Sequence, residues 1–203
     1  MNYLEFEKSI KEFPVFSIKD IKKRYPDFDN RRLVEWQQKG YIQKIRREYY
    51  CLRERVNNEQ FLFFASNKIY SPSYVSMESA LAFYNFIPEG VFMTTSVSTR
   101  NTANYSTAVG NFSYNNIKPS LFFGYRLIKG DGFSIKIAEP EKVILDFLYL
   151  KKLNSKDGIK AIRLNEIQIN ELVEFDKLKQ YQKMFNSKVL DKRIKLLTEV
   201  INA

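Results

Sequence analysis

The sequence predicts an α+β protein in two parts: a small winged helix-turn-helix over residues 1–55, then a larger α+β domain over residues 60–203 with a mostly antiparallel sheet and C-terminal helices. Three observations carry this. Residues 29–52, DNRRLVEWQQKGYIQKIRREYYCL, read as a helix stopped by a glycine and followed by a short basic β-hairpin. Residues 70–150 place several strand-like runs between two helical segments. The polar stretch RERVNNEQ at 53–60 separates the two parts.

In the first part, Asp29 can accept from the free N–H groups of a helix's first turn. Gly40 can take the left-handed conformation that ends the helix. A helical wheel puts Leu33, Val34 and Trp36 toward one side and Arg31, Glu35, Gln38 and Lys39 toward the other. YIQKI and EYYCL are β-prone runs joined through Arg46 and Arg47. Upstream, Ser17 can cap a helix over SIKDIKKRY, with Asp20 where the helix dipole favours negative charge. Pro26 ends it by disfavouring a helical Tyr25. An earlier amphipathic segment offers Leu4, Ile10 and Phe13 to cover the pair from behind. In this arrangement Asn30, Arg31 and Arg32 at the helix start are expected to face base edges in the major groove, with Gln38 and Lys39 near the groove wall. Lys44, Arg46 and Arg47 on the hairpin are expected to meet phosphates.

Composition bounds the function. A 44% hydrophobic, 15% aromatic chain of 203 residues can build real cores. The net charge of +10 is uneven: residues 1–55 carry +5, residues 56–150 carry zero and residues 151–203 carry +5. Two basic ends around a neutral aromatic middle suggest that one or both ends face a polyanion. The chain has no run of eighteen apolar residues, and MNYLEFEKSI does not read as a signal peptide. One cysteine, Cys51, fits a reducing compartment and reads as a small buried hydrophobe. A cytoplasmic protein is expected, with no membrane partner.

The chain contains no histidine, which removes histidine bases, histidine-ligated metals and Ser-His or Cys-His nucleophile pairs. No phosphate-binding or dinucleotide glycine motif is present. Gly130-Asp131-Gly132 lies between strand-like runs and reads as a tight turn. Glu139 and Glu141 read as the electronegative first turn of a helix. No catalytic, metal or cofactor residues are assigned, and an enzyme is not expected.

In the second part, FLFFASNKIY is a helix or buried segment. Ser76 can cap a helix from Met77 to Ile87, with Glu78 in its first turn and Pro88 closing it. VFMTTSVST, GNFSYNNI, SLFFGYRLI and GFSIKIA follow as strands, the third apolar enough to be central. Pro140 opens a helix through EKVILDFLYL. Phe122, Phe123 and Tyr125 read as core. Leu190, Ile194, Leu197 and Ile201 form one stripe, with Lys188, Lys192, Arg193 and Lys195 on the remaining surface.

Three long segments, SPSYVSMESALAFYNFIPEGVFMTTSVSTRNT, FSYNNIKPSLFFGY and IKIAEPEKVILDFLYL, together with the closing INELVEFDKLKQYQKMFNSKVLDKRIKLL, resemble the AbiEi family of antitoxins from type IV (abortive infection) toxin–antitoxin systems. The likeness runs from about residue 70 to residue 203. In the first part it rests on Leu33, Trp36, Gly40 and Ile42, and Glu48 and Tyr49 stand where many members carry a wing glycine. The resemblance implies two jobs. A winged helix represses the operon by binding inverted repeats in its own promoter. The larger domain counters a nucleotidyltransferase-like toxin without a stable complex. The residues alone leave three rivals: a protein-interaction module that does not bind DNA, an enzyme acting on nucleic acid through carboxylates alone, and a ligand-responsive winged-helix regulator.

Overall fold

The computed structural model describes residues 2–56, 58–130 and 132–201. Its α+β architecture begins with two reciprocal capping boxes. Asn2 and Glu5 start α1 (Tyr3–Ile10), each side chain accepting the other's backbone N–H at 2.9 Å. Ser17 and Asp20 do the same for α2 (Ile18–Arg24), so two otherwise orphaned donors are satisfied at each start. Between them lies the two-residue strand β1 (Phe16–Ser17). Then come α3 (Arg31–Gln38), β2 (Ile42–Arg46) and β3 (Tyr49–Leu52), and the strands form a sheet in the order β1-β3-β2.

The small core is aromatic. Trp36 is buried with ring centroids 4.5 Å from Phe6 and 5.9 Å from Phe28, and Leu33, Phe16 and Ile21 close around it. Three expected apolar contacts are corrected here. Leu4, Phe13 and Val34 are exposed, and the inward residues of the first helix are Phe6 and Ile10. Leu33 and Trp36, three apart, already define the buried stripe of α3, and Val34 lies a further 100° round the helix. Gly40 takes φ +71° as expected, and a side chain there would also meet Arg53 Nη1.

The larger part starts with α4 (Glu59–Ile69), capped by Asn58, whose Oδ1 accepts from Phe61 N. It continues through β4 (Ser73–Val75), α5 (Met77–Phe83), β5 (Met93–Ser98), β6 (Ala103–Ser106), β7 (Asn111–Asn116), β8 (Tyr125–Lys129) and β9 (Ser134–Ala138). The helices α6 (Pro140–Leu150), α7 (Lys156–Lys160), α8 (Glu166–Leu172), α9 (Phe175–Phe185) and α10 (Lys188–Ile201) follow. The sheet order is β6-β7-β5-β4-β9-β8. β6-β7, β5-β4 and β9-β8 pair antiparallel, whereas β7-β5 and β4-β9 pair parallel. The sheet is therefore mixed. β4 and β6 are short and have no apolar alternation, so neither stands out in the sequence.

Two further expectations change. SLFFGYRLI does not supply a central strand: β8 is an edge, with Leu127 exposed. Its apolar half is not strand at all, because Gly124 at φ +67° turns the chain and sends Leu121, Phe122 and Phe123 into the core. α5 ends at Phe83, not Ile87, because Asn85 adopts the left-handed conformation and Phe86 N bonds back to Leu81 O. Gly130 N donates to Phe133 O at 2.8 Å. The expected turn centre, Asp131, lies outside the described residues. Pro140 opens α6 as expected, and Leu190 and Leu197 are buried on α10 with Ile194 and Ile201 packed beside them. Arg193 departs from the expected surface: it is buried and donates to Leu148 O at the end of α6 and to Asn154 Oδ1.

The hairpin β2-β3 is a wall shared by both cores. Ile42, Tyr50 and Leu52 face the three helices, while Ile45 and Cys51 join the core of the larger part. Lys44 pairs with Tyr50 and Arg46 with Tyr49, leaving Ile45 as an extra bulged residue. A bulge breaks the two-residue alternation. It allows Ile45 and its neighbour Arg46 both to reach the larger part. No helix among the described residues is long and apolar enough to cross a membrane.

Candidate nucleic-acid interface

α3 presents its first turn to solvent because Leu33 and Trp36 hold its opposite face against the core. Asp29 shapes that turn. Its Oδ1 accepts from Arg31 N at 2.9 Å, and its carboxylate also receives Arg31 Nε and Nη2 at 2.9 Å. These hydrogen bonds, the backbone one foremost, hold the Asp29 carboxyl below its usual range. Asn30 is exposed, the Arg31 side chain is 92% exposed, and Arg32 is half-buried. Gln38 and Lys39 are exposed at the far end, where Lys39 Nζ bonds Glu35 Oε1 at 2.6 Å. Surface pairs of this kind are worth little in water, so a phosphate can displace either carboxylate.

The hairpin contributes less than its sequence suggests. Lys44 and Arg47 are exposed. Arg46 is not available in the same way: its Nη1 donates to Ile69 O at 2.6 Å, and its guanidinium lies 4.0 Å from the Tyr105 ring centroid and 5.4 Å from that of Tyr70. The bulge at Ile45 turns this arginine into the joint between the two parts. Arg46 is thus removed from the exposed set, and the remaining seven residues lie at or near the surface of α3 and the hairpin.

The hairpin tip bends without glycine. Glu48 adopts φ +69°, and its carbonyl accepts from Ile18 N at 3.1 Å, tying the tip to the start of α2. A non-glycine residue there carries about 1–2 kcal/mol of strain. Glu48→Gly is expected to be neutral or to stabilise the chain by up to about 1 kcal/mol, because relief of strain is offset by glycine's greater freedom when unfolded. A chemical denaturation midpoint that falls clearly in this variant would show that the Glu48 side chain contributes more than its backbone.

A second polar constellation lies in the larger part and is invisible to motif reading. Lys142 and Asp146, one turn apart on α6, form a salt bridge and are both fully buried. Lys142 Nζ also donates to Tyr74 OH at 2.9 Å, and the Tyr74 and Ser76 hydroxyls each donate to Asp146 Oδ2 at 2.9 Å. Ser76 therefore does not cap α5 with its side chain, as its position had suggested. Phe185, Phe123 and Tyr74 surround the ammonium at 4.9, 5.1 and 5.4 Å from their centroids. Burial pulls the Lys142 ammonium down and pushes the Asp146 carboxyl up, each opposed by the other's charge. Gly124 makes room for the lysine stem: a Cβ there would sit 3.1 Å from Lys142 Cγ. The network ties β4 to α6. Its sequence signal was two charges four apart in the otherwise apolar KVILDFLYL, residues 142–150.

Beside it, Glu139 and Glu141 both approach Lys177 Nζ at 3.3 Å, and Glu141 Oε1 accepts from Glu174 N. Glu141 is 1% exposed, so this carboxylate joins α6 to α9 as well as standing in a helix's first turn. Glu78 is ion-paired to Lys151, and Ser79 exchanges hydrogen bonds with Thr95. Cys51 is buried, and burial pushes its thiol up to about 12, which suits a core side chain.

The chain matches no protein-family model and no curated protein.

Proposed function

We propose that the chain is a duplex-DNA-binding repressor whose first 55 residues act as a winged helix-turn-helix. The single observation that carries this reading is the first turn of α3. Arg31 stands outward there, opposite the buried Leu33 and Trp36, flanked by the exposed Asn30 and the half-buried Arg32 and close in sequence to the exposed Lys44 and Arg47 of the hairpin. An arginine fork free to leave a surface carboxylate suits the O6 and N7 acceptors of guanine, and the hairpin lysine and arginine suit phosphates. Arg31→Ala is expected to weaken binding to the chain's own promoter by about 1–3 kcal/mol. A gel shift with that duplex measures it, and a variant that binds as tightly as the parent excludes α3 as the reading element.

The resemblance of residues 70–203 to AbiEi antitoxins extends the proposal. In this reading the chain is cytoplasmic, binds inverted repeats in its own promoter and counters a nucleotidyltransferase-like toxin without holding it in a stable complex. Co-expression with the product of the adjacent toxin gene tests the second job: growth should be rescued, and no stoichiometric complex should co-purify. Failure to rescue would leave a repressor alone.

A further inference from the structure

Arg46 is not the only arginine at Tyr70. Arg100, in the β5–β6 connection, places its guanidinium 4.3 Å from the same ring centroid and donates from Nη1 to Ser71 O at 3.3 Å. Two guanidiniums thus flank one buried tyrosine at the junction of the two parts. Among the described residues neither has a carboxylate within ion-pair distance. Arg46 is half-buried and committed to Ile69 O, but Arg100 is exposed.

The surroundings of Arg100 are unusual in charge. Residues 90–130 contain no aspartate or glutamate; of their four cations Arg100 and Lys118 follow β5 and β7 near this edge, whereas Arg126 and Lys129 lie on β8 at the opposite edge of the sheet. Among the described residues β6 is an edge strand whose one partner is β7, and Asn101, Thr102, Asn104 and Ser106 lie exposed on or beside it. Amide and hydroxyl donors around an uncompensated arginine are the residue types that contact phosphate oxygens without reading bases. A protein partner selected by charge would meet the same cation, but the continuity with the hairpin favours a polyanion. Arg46 leaves the strand between the exposed Lys44 and Arg47 and ends at the ring that Arg100 also covers.

We propose that duplex DNA bound at α3 and the hairpin continues across the junction, with its backbone against Arg100 and the carboxylate-free edge formed by β6. This rests on the DNA-binding reading above and adds a contact from the larger part. Arg46, stacked between Tyr105 and Tyr70, acts as the positioning residue that fixes the distance between hairpin and edge.

The test is the salt dependence of binding by the full chain to two promoter duplexes, one extended past the α3 footprint and one trimmed to it. Arg100→Gln should reduce the slope of log K against log salt by about 0.9 on the long duplex and weaken binding about fivefold near 0.1 M salt. On the trimmed duplex it should leave slope and affinity unchanged, and any fall in melting temperature from the lost contact with Tyr70 should leave the chain folded at the assay temperature. An unchanged slope for Arg100→Gln alongside weakened binding by Arg31→Ala overturns this inference and leaves the α3 reading intact. Equal losses on both duplexes overturn it by marking Arg100 as structural. A loss seen only with single-stranded RNA also overturns it, and absence of salt-sensitive binding by the parent chain overturns both readings.

Discussion

Lys142→Ala is expected to destabilise the chain by about 3–5 kcal/mol, because it strands the Asp146 carboxylate in a fully buried site. The Tyr74 and Ser76 hydroxyls would remain as Asp146's donors, but they carry no charge to offset its burial. Asp146→Ala should cost a similar amount, since it leaves the ammonium to three aromatic rings, one of them carrying the Tyr74 hydroxyl. Replacing both, as Lys142→Met with Asp146→Leu, should cost less than the two single changes added together. The desolvation of each charge is then removed along with its partner. Denaturant unfolding of the four proteins gives the comparison. Additive losses would mean that the pair is not coupled and that the geometry at β4 and α6 is held by packing alone.

Arg46→Ala is expected to have the second large effect, about 2–4 kcal/mol, and to act on the union of the two parts. The change removes a charge-assisted hydrogen bond to Ile69 O and stacking on Tyr105 and Tyr70. Arg46→Lys should recover little of this, because an ammonium cannot reproduce a planar fork that donates and stacks at once. The phosphate role that the hairpin sequence suggests for Arg46 predicts a flatter salt dependence of DNA binding in Arg46→Ala. Its place in the junction predicts a lower unfolding midpoint, with the two parts separating into distinct transitions, and a slope that is unchanged on a duplex trimmed to the α3 footprint. Ile45 and Cys51 add apolar burial at the same wall, so the small part is packed onto the larger one through one face of its hairpin while the other face closes its own core.

The helices were legible wherever local chemistry closes on itself. Ser17 with Asp20, Gly40 after Gln38, Pro26 after Arg24 and Pro140 at the start of α6 mark ends that need only neighbouring residues. The α+β class followed from those helices and from the strand-prone runs between them. What escaped depends on partners distant in the chain. Ser76 looks like a cap because capping is a local use, yet its hydroxyl goes to Asp146, seventy residues on. Arg46 looks like a wing residue because the bulge that redirects it is set by pairing with β3 and by the aromatic surface of Tyr70 and Tyr105. β4 and β6 are too short to show a period, and β8 fell to an edge because Gly124 takes the apolar half of its run out of the sheet. Of the eight residues assigned to DNA, the placement of the five on or beside α3 was legible because a helix with one buried face exposes the other, and that of Lys44 and Arg47 because they fall on a polar hairpin.

The most direct test of the account is the ratio of binding constants for the chain's own promoter duplex and a scrambled duplex of equal length, measured by fluorescence anisotropy at one fixed salt concentration for the parent and for Arg31→Ala. Recognition through α3 predicts a promoter preference in the parent that falls by about 1–3 kcal/mol in the variant, while binding to the scrambled duplex changes far less. A parent that shows no preference, or a variant that retains it in full, would contradict the account.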